Sequence, residues 1–98
     1  MKLQTLHVLV GPPGRGKTRW ANARDIVEFS LRLSQGEKSN FVNACCDKKE
    51  IVLSTADAQH IQKSDDDLKA MARSVLAATF HGIDTASVEV HVLRFDGA

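Results

Sequence analysis

Three short apolar segments of the chain have the pattern of β-strands. The segment Leu3–Val10 ends in the run LHVLV, which is apolar on both faces, as in a strand buried on both sides in a parallel sheet. Ile51–Thr55 is a second short run, rich in residues that favour strands. Val88–Val92 alternates apolar and polar residues, and Leu93 and Phe95 follow it. Alternation predicts that this third strand has one face toward water and lies at an edge of the sheet.

Two helices are predicted between these strands. The first begins near Gly16–Lys17 and runs to about Gln35, because apolar residues recur at helical spacing and Gly36 is a plausible stop. The second opens at Ser64, whose side chain can cap the free amides, and closes at His81–Gly82. Its apolar stripe, spaced by three and four residues, consists of Leu68, Met71, Ala72, Val75, Leu76, Thr79 and Phe80.

The order of these elements predicts the fold class. Strands and helices alternate as β-α-β-α-β, which indicates one α/β domain over residues 1–98 with a small, mainly parallel sheet between two layers of helices. The first strand is the most uniformly apolar, so we place it in the centre of about three strands in the order 2-1-3, joined by right-handed crossovers. That order brings the turn after the first strand to a switch point, where ligands bind in such sheets. The pattern leaves Phe41–Cys46 open between a strand and a helical turn.

The turn after the first strand carries the clearest chemical motif. Gly11–Thr18 reads GPPGRGKT and fits GxxxxGK[ST] without a mismatch, between a predicted strand and a predicted helix. Glycines let backbone amides approach phosphates, Lys17 supplies a point charge, and the Thr18 hydroxyl takes one position on Mg²⁺. The sequence therefore predicts a nucleoside triphosphate with Mg²⁺ as cofactor, bound by Gly11, Pro12, Pro13, Gly14, Arg15, Gly16, Lys17 and Thr18.

The stretch Leu6–Ala21, LHVLVGPPGRGKTRWA, resembles the Walker A segment of P-loop NTPases. The form GPPGxGKT is similar to that of AAA+ ATPases and superfamily-three viral helicases, and the GxPGxGK core is similar to that of small nucleotide kinases. The resemblance covers about 16 residues of 98. It implies nucleotide binding by the loop, with Arg15 contributing its backbone, and catalysis that involves Lys17.

Those families share a second motif, an apolar strand that ends in Asp, and this chain has no clear copy of it. Asp47, Asp57 and Asp96 each follow an apolar run. We assign Asp57 as the catalytic and magnesium-side carboxylate. Its alternative role is to cap a turn or helix at Ala56–His60.

Other side chains have both a functional and a structural interpretation. By the same resemblance, Ser54 and Thr55 are γ-phosphate sensors, although ordinary strand-end hydrogen bonding is the simpler role. Trp20 packs near the base of a bound nucleotide or, as we prefer, in the core. Asp65–Asp67 forms a metal cluster or, again preferred, the acidic first turn of a helix. Nothing in the sequence selects an arginine finger among Arg19, Arg24, Arg32, Arg73 and Arg94.

Composition and charge limit the partners. The chain is 43% hydrophobic and 26% charged, and its 13 basic and 12 acidic residues give a formal charge of +1. This balance of charge does not indicate that the chain binds nucleic acid or an anionic membrane, although a role with nucleic acid stays conceivable. No apolar run reaches a membrane span, Met1–Val10 lacks signal-peptide features, and the adjacent Cys45 and Cys46 give no disulfide framework. We expect a cytoplasmic location.

Three functions remain open at this stage. One is an ATP- or GTP-binding NTPase with weak Mg²⁺-dependent hydrolysis, the second is a small kinase-like phosphotransferase, and the third is a non-catalytic, nucleotide-gated interaction module. The resemblance implies a lid domain that supplies an arginine, and we expect none within residues 1–98. With an open edge at the third strand, this leads us to expect a homo-oligomer or a partner protein.

Overall fold

The computed structural model describes residues 1–80 and 85–95. In chain order the elements are β1 (Thr5–Val10), α1 (Lys17–Ala23), β2 (Glu28–Ser30), a 3₁₀ turn (Gln35–Glu37), α2 (Lys38–Asp47), β3 (Glu50–Thr55), α3 (Ala58–Ile61), α4 (Asp65–Thr79) and β4 (Glu89–Arg94). Among the described residues, no helix combines the length and the apolar character needed to cross a bilayer.

Within those two ranges, four strands form one parallel sheet in the order β2-β3-β1-β4. The predicted fold class is confirmed, since the predicted order 2-1-3 is the order β3-β1-β4, to which β2 adds a further edge strand. Val10 pairs with Thr55 on one side and with Arg94 on the other. The strands therefore end level with one another, and the Gly11–Thr18 loop leaves the sheet at this carboxyl edge.

Helices cover both faces of the sheet. On one face, β1, β3 and β4 pack against α2 and α4, and the buried side chains include Leu6, Val8, Phe41, Leu53, Leu68, Leu76 and Val90. On the other face, Leu9 and Val52 pack against Ala21 of α1 and against Ile26. The helix after the loop and the long helix before β4 thus lie on opposite faces, as the sequence predicts.

The first helix is shorter than predicted, and the prediction that it runs to Gln35 is wrong. α1 ends at Ala23, where Ile26 N–H donates to Ala21 O at 2.9 Å and Asp25 N–H donates to Asn22 O at 3.1 Å. Asp25 takes the left-handed conformation (φ 55°). This pair of bonds is a Schellman C-cap, in which Asp25 holds the position usually given to glycine. The chain then leaves the helix and enters β2.

The segment Phe41–Cys46, left open by the sequence, lies in α2. Phe41 and Cys45, four residues apart, are fully buried against the sheet, while Cys46 is exposed. Burial, with a smaller effect of Cys46, raises the pKa of the Cys45 thiol to about 12, so Cys45 serves as a small apolar core residue.

At the start of α4, Ser64 Oγ accepts the Asp67 N–H at 3.1 Å, which confirms the predicted cap. The predicted closure at His81–Gly82 lies outside the described residues.

Candidate functional site

A cleft of about 760 Å³ opens at the carboxyl edge of the sheet, beside the Gly11–Thr18 loop. Of the predicted site residues, it is lined by Pro13, Gly14, Gly16, Lys17, Thr18 and Asp57. Ser54 and Thr55 at the end of β3 also line it, together with Glu28, Phe29, Ser30 and Arg32 of the β2 segment. The structure thus brings the loop and the predicted carboxylate to one cavity, and it adds β2, a strand that the sequence pattern does not predict.

Two glycines of the loop are required by its geometry. A Cβ at Gly11 would lie 2.9 Å from both the carbonyl carbon and the Cβ of Phe95, so the loop passes against the end of β4 too closely for a side chain. Gly16, the N-cap residue of α1, has φ 95°, which is a left-handed conformation that other residues rarely adopt.

Lys17 folds back across the loop. Its Nζ donates to Gly11 O at 2.6 Å and to Pro12 O at 2.7 Å, and the residue is only 9% exposed. Burial lowers the pKa of the Lys17 ammonium, and the nearby Glu28 carboxylate opposes that effect. The loop therefore holds a cation at the cavity wall, against its own carbonyl groups.

Thr18 is paired with a residue that the sequence did not single out. Its hydroxyl donates to Oε1 of Glu28 at 3.0 Å. Glu28 is the first residue of β2, and its position next to the loop depends on the early end of α1. The sequence contains one signal for the early end of α1, which is Asp25, because an aspartate can adopt the left-handed conformation that ends a helix. Without that ending, Glu28 is interpreted as a residue in a long helix.

Asp57 caps a helix, which is the structural alternative to the catalytic role predicted for it. It is the N-cap of α3, and its Oδ1 accepts the Gln59 N–H at 2.8 Å. Its Oδ2 lies 2.6 Å from Nη2 of Arg32, an arginine whose side chain is 67% exposed. The capping interpretation is confirmed, and the catalytic and magnesium-side role of Asp57 stays a prediction. Asp96, a rival for that role, lies outside the described residues.

The structure separates the candidate arginines. Arg19 and Arg32 line the cleft. Arg24 stacks its guanidinium 4.2 Å from the ring centroid of Trp20, Arg73 donates to Thr85 O, and Arg94 donates to Ile61 O and Lys63 O and pairs with Asp65. These last three are therefore engaged elsewhere: Arg24 beside α1, Arg73 between α4 and the segment before β4, and Arg94 between α3 and the start of α4.

The remaining side chains of interest have structural partners. Thr55 Oγ1 accepts the Asp57 N–H at 3.2 Å and shares a 2.7 Å hydrogen bond with Nδ1 of the buried His60. Trp20 is partly buried against the sheet, in an edge-to-face contact with His7 at a centroid distance of 5.2 Å. Asp65–Asp67 forms the acidic first turn of α4. The structural interpretation of Asp65–Asp67 is thus confirmed, and Trp20 packs against the core while only partly buried.

No protein-family model, curated protein or solved structure matches this chain. The interpretation of the cleft therefore depends on its own chemistry. The cleft is lined by the cation of Lys17 and the glycine-rich backbone, by the Thr18–Glu28 pair, and by Asp57 with the guanidinium of Arg32.

Magnesium fits the oxygen donors of this cleft better than a softer metal does. Among the residues that the structure describes, no three His, Cys, Asp or Glu side chains are grouped to hold a metal ion by themselves. Mg²⁺ prefers hard oxygen ligands and usually takes several of them from phosphates and water, so it needs few protein ligands. The Thr18 hydroxyl and a neighbouring carboxylate are donors of this kind.

Proposed function

We propose that this chain is a reduced P-loop domain that binds ATP, or another nucleoside triphosphate, together with Mg²⁺ and hydrolyses it slowly. The observation that carries the proposal is the coincidence of the GPPGRGKT loop with a cleft of about 760 Å³ at the carboxyl ends of parallel strands. Ligand sites of α/β sheets occur at this edge, and ligand pockets have volumes of about 300–1,000 Å³.

The loop geometry supports phosphate binding in particular. Gly14 and Gly16 have positive φ angles of 78° and 95°, and Arg15 between them does not. Alternation of this kind turns successive amides toward one side and makes a concave site for an anion. Lys17 Nζ, now bonded to two loop carbonyls, lies where a phosphate oxygen can replace those carbonyls as its partner.

A second candidate is the kinase-like phosphotransferase. The cleft extends from the loop to Arg32, whose side chain is 67% exposed and whose guanidinium pairs with Asp57. An exposed guanidinium that lines the same cleft as the phosphate loop suits an anionic acceptor. A non-catalytic nucleotide-gated module is the third alternative. A cytoplasmic location fits each of them, because both cysteines of the chain are free thiols.

Calorimetric titration with ATP·Mg²⁺, followed by measurement of phosphate release, tests the proposal. Binding with slow release of phosphate in the absence of an acceptor is the expected result. Phosphate transfer only when a nucleotide or sugar acceptor is added would favour the phosphotransferase, and binding without turnover would favour the module. If the folded chain binds neither ATP nor GTP, the proposal fails.

A further inference from the structure

Among the described residues, two carboxylates line the cleft, and they are held differently. Both oxygens of Asp57 are engaged, Oδ1 by the Gln59 N–H at 2.8 Å and Oδ2 by Arg32 at 2.6 Å. Glu28 accepts the Thr18 hydroxyl on Oε1 at 3.0 Å, and the described part of the chain offers Oε2 no hydrogen-bond partner. Asp57 is thus tied to the α3 backbone and to a guanidinium, whereas Glu28 keeps an oxygen for a further ligand.

The bond to Glu28 also fixes the direction of the Thr18 hydroxyl. A threonine hydroxyl has one proton to donate and two lone pairs that accept. Because the proton points to Glu28 Oε1, the lone pairs point away from that carboxylate and can face a cation. A hydroxyl and a carboxylate oxygen held 3.0 Å apart in this way are both ligands that Mg²⁺ prefers.

We propose that Glu28, on β2, is the carboxylate of the magnesium site and acts together with the Thr18 hydroxyl. The inference rests on the proposed nucleotide binding, since phosphate oxygens and water would supply the other ligands. It moves the magnesium-side role from Asp57, on the segment after β3, to a strand at the edge of the sheet. Both Glu28 and Thr18 line the same cleft as Lys17.

Removal of the Glu28 charge should have opposite effects on ATP affinity without and with Mg²⁺, and this gives the proposal a test. Without a divalent cation, the carboxylate repels a triphosphate in the same cleft; with Mg²⁺ present, it attracts the ion that the phosphates also bind. Glu28→Gln should therefore bind ATP in EDTA at least as tightly as the wild type. It should lose about tenfold or more of the affinity that the wild type gains from Mg²⁺.

The experiment is a calorimetric titration of ATP into the full chain, once in EDTA and once in excess Mg²⁺, with the ratio of the two affinities as the readout. Glu89→Gln removes the same charge at the amino end of β4, where the Glu89 side chain is 73% exposed, and should keep the wild-type ratio. Asp57→Asn, inside the cleft, should also keep it.

A second variant, Glu28→Asp, keeps the charge and shortens the side chain, so its affinity in EDTA should stay at the wild-type value while the ratio falls. Thermal melting of each variant verifies that it is folded. If Glu28→Gln does not fold, the affinity ratio of Glu28→Asp tests the inference. A wild-type ratio in the folded Glu28 variants overturns the inference. A ratio that collapses in Asp57→Asn instead also overturns it and returns the role to Asp57. If the wild type binds no ATP in either condition, the proposed function itself fails, and this inference with it.

Discussion

Lys17→Ala probes the loop more directly than any other substitution. Lys17 Nζ donates to Gly11 O at 2.6 Å and to Pro12 O at 2.7 Å. Hydrogen bonds to a charged group contribute about 1.5–3 kcal/mol each. A phosphate that takes Lys17 as its partner replaces contacts that already exist, so we expect the net contribution to nucleotide binding to equal about one such bond. That energy corresponds to a loss of about tenfold to a hundredfold in affinity for ATP.

The same substitution also acts on stability. Lys17 is only 9% exposed, and its removal leaves two loop carbonyls without their donor. The buried ammonium has itself lost hydration, which offsets part of the gain, so we expect the free energy of unfolding to fall by about 1 kcal/mol. For a domain of this size, such a change lowers Tm by about 4–8 °C.

Isothermal titration calorimetry of the folded variant, verified by its melting curve, is the assay. Lys17→Met keeps the apolar stem and removes the ammonium, so it should lose as much affinity as Lys17→Ala with less effect on Tm. Lys48→Ala, at the exposed end of α2, removes the same charge outside the cleft and should bind ATP as the wild type does. Equal ATP affinity in Lys17→Ala and the wild type would refute the assignment of the loop.

Three further outcomes are expected. Thr18→Ala should weaken ATP binding more in Mg²⁺ than in EDTA, because the hydroxyl serves the metal, and an equal loss in both conditions would contradict that role. Asp57→Asn, which retains a good N-cap, should suppress turnover and leave ATP affinity within about twofold if Asp57 is catalytic; Asp47→Asn is the control, and loss of turnover there alone would show the assignment to be wrong. Leu76→Ala empties a fully buried position of α4 and should cost about 2–5 kcal/mol in urea unfolding, whereas a loss below about 1 kcal/mol would contradict the packing of α4.

The features that were predictable from the sequence are those encoded by neighbouring residues. The Gly11–Thr18 motif, the Ser64 cap and the apolar stripe of α4 each depend on spacings of a few residues, and the structure has the cap and the stripe where they were expected. The central position of β1 also follows from its sequence, because a strand apolar on both faces needs cover on both faces.

β2 was not predictable, because the residues around it fit a helix as well as a strand. Ile26, Val27 and Leu31 recur at helical spacing after α1, and the signal that ends α1 is an aspartate in a left-handed conformation, where glycine is the usual marker. A strand of three residues is held mainly by its pairing with Val52, Leu53 and Ser54, more than twenty positions along the chain. Sequence periodicity contains no information on such a pairing.

The carboxylate that we propose for the magnesium site, Glu28, was missed for the same reason. Thr18 and Glu28 are ten residues apart, and they meet because α1 ends early and β2 returns along the sheet. The Arg32–Asp57 pair likewise joins the segments that follow two neighbouring strands. A search for an acidic residue at the end of an apolar strand selects Asp57, whereas Glu28 stands at the beginning of one.

The free edge of β4 is the basis of a prediction about assembly. β4 pairs with β1 on one side, and no strand in the described part of the chain pairs with its other side. Val88 and Val90 are buried against the rest of the protein. Besides its backbone groups, this strand exposes the side chains of Glu89, His91 and Leu93, and Leu93, at 40% exposure, is the large apolar one. Such an edge is a template for pairing with another chain. β2, at the opposite edge, has only three residues and is protected by its shortness.

We therefore expect the chain to form a dimer through β4 at micromolar concentration, with nucleotide favouring the dimer if it binds that form more tightly. Leu93→Lys places a charge on this edge and should give a monomer in light scattering. Val27→Lys is the matched control, because Val27 is 39% exposed but lies beside β2, and it should leave the dimer intact. If Val27→Lys dissociates the dimer and Leu93→Lys does not, the contact is at the β2 edge. A wild-type chain that remains a monomer with and without ATP·Mg²⁺ would contradict the prediction. Leu93 and the β4 backbone would then either stay hydrated at no measurable cost or bind a different protein.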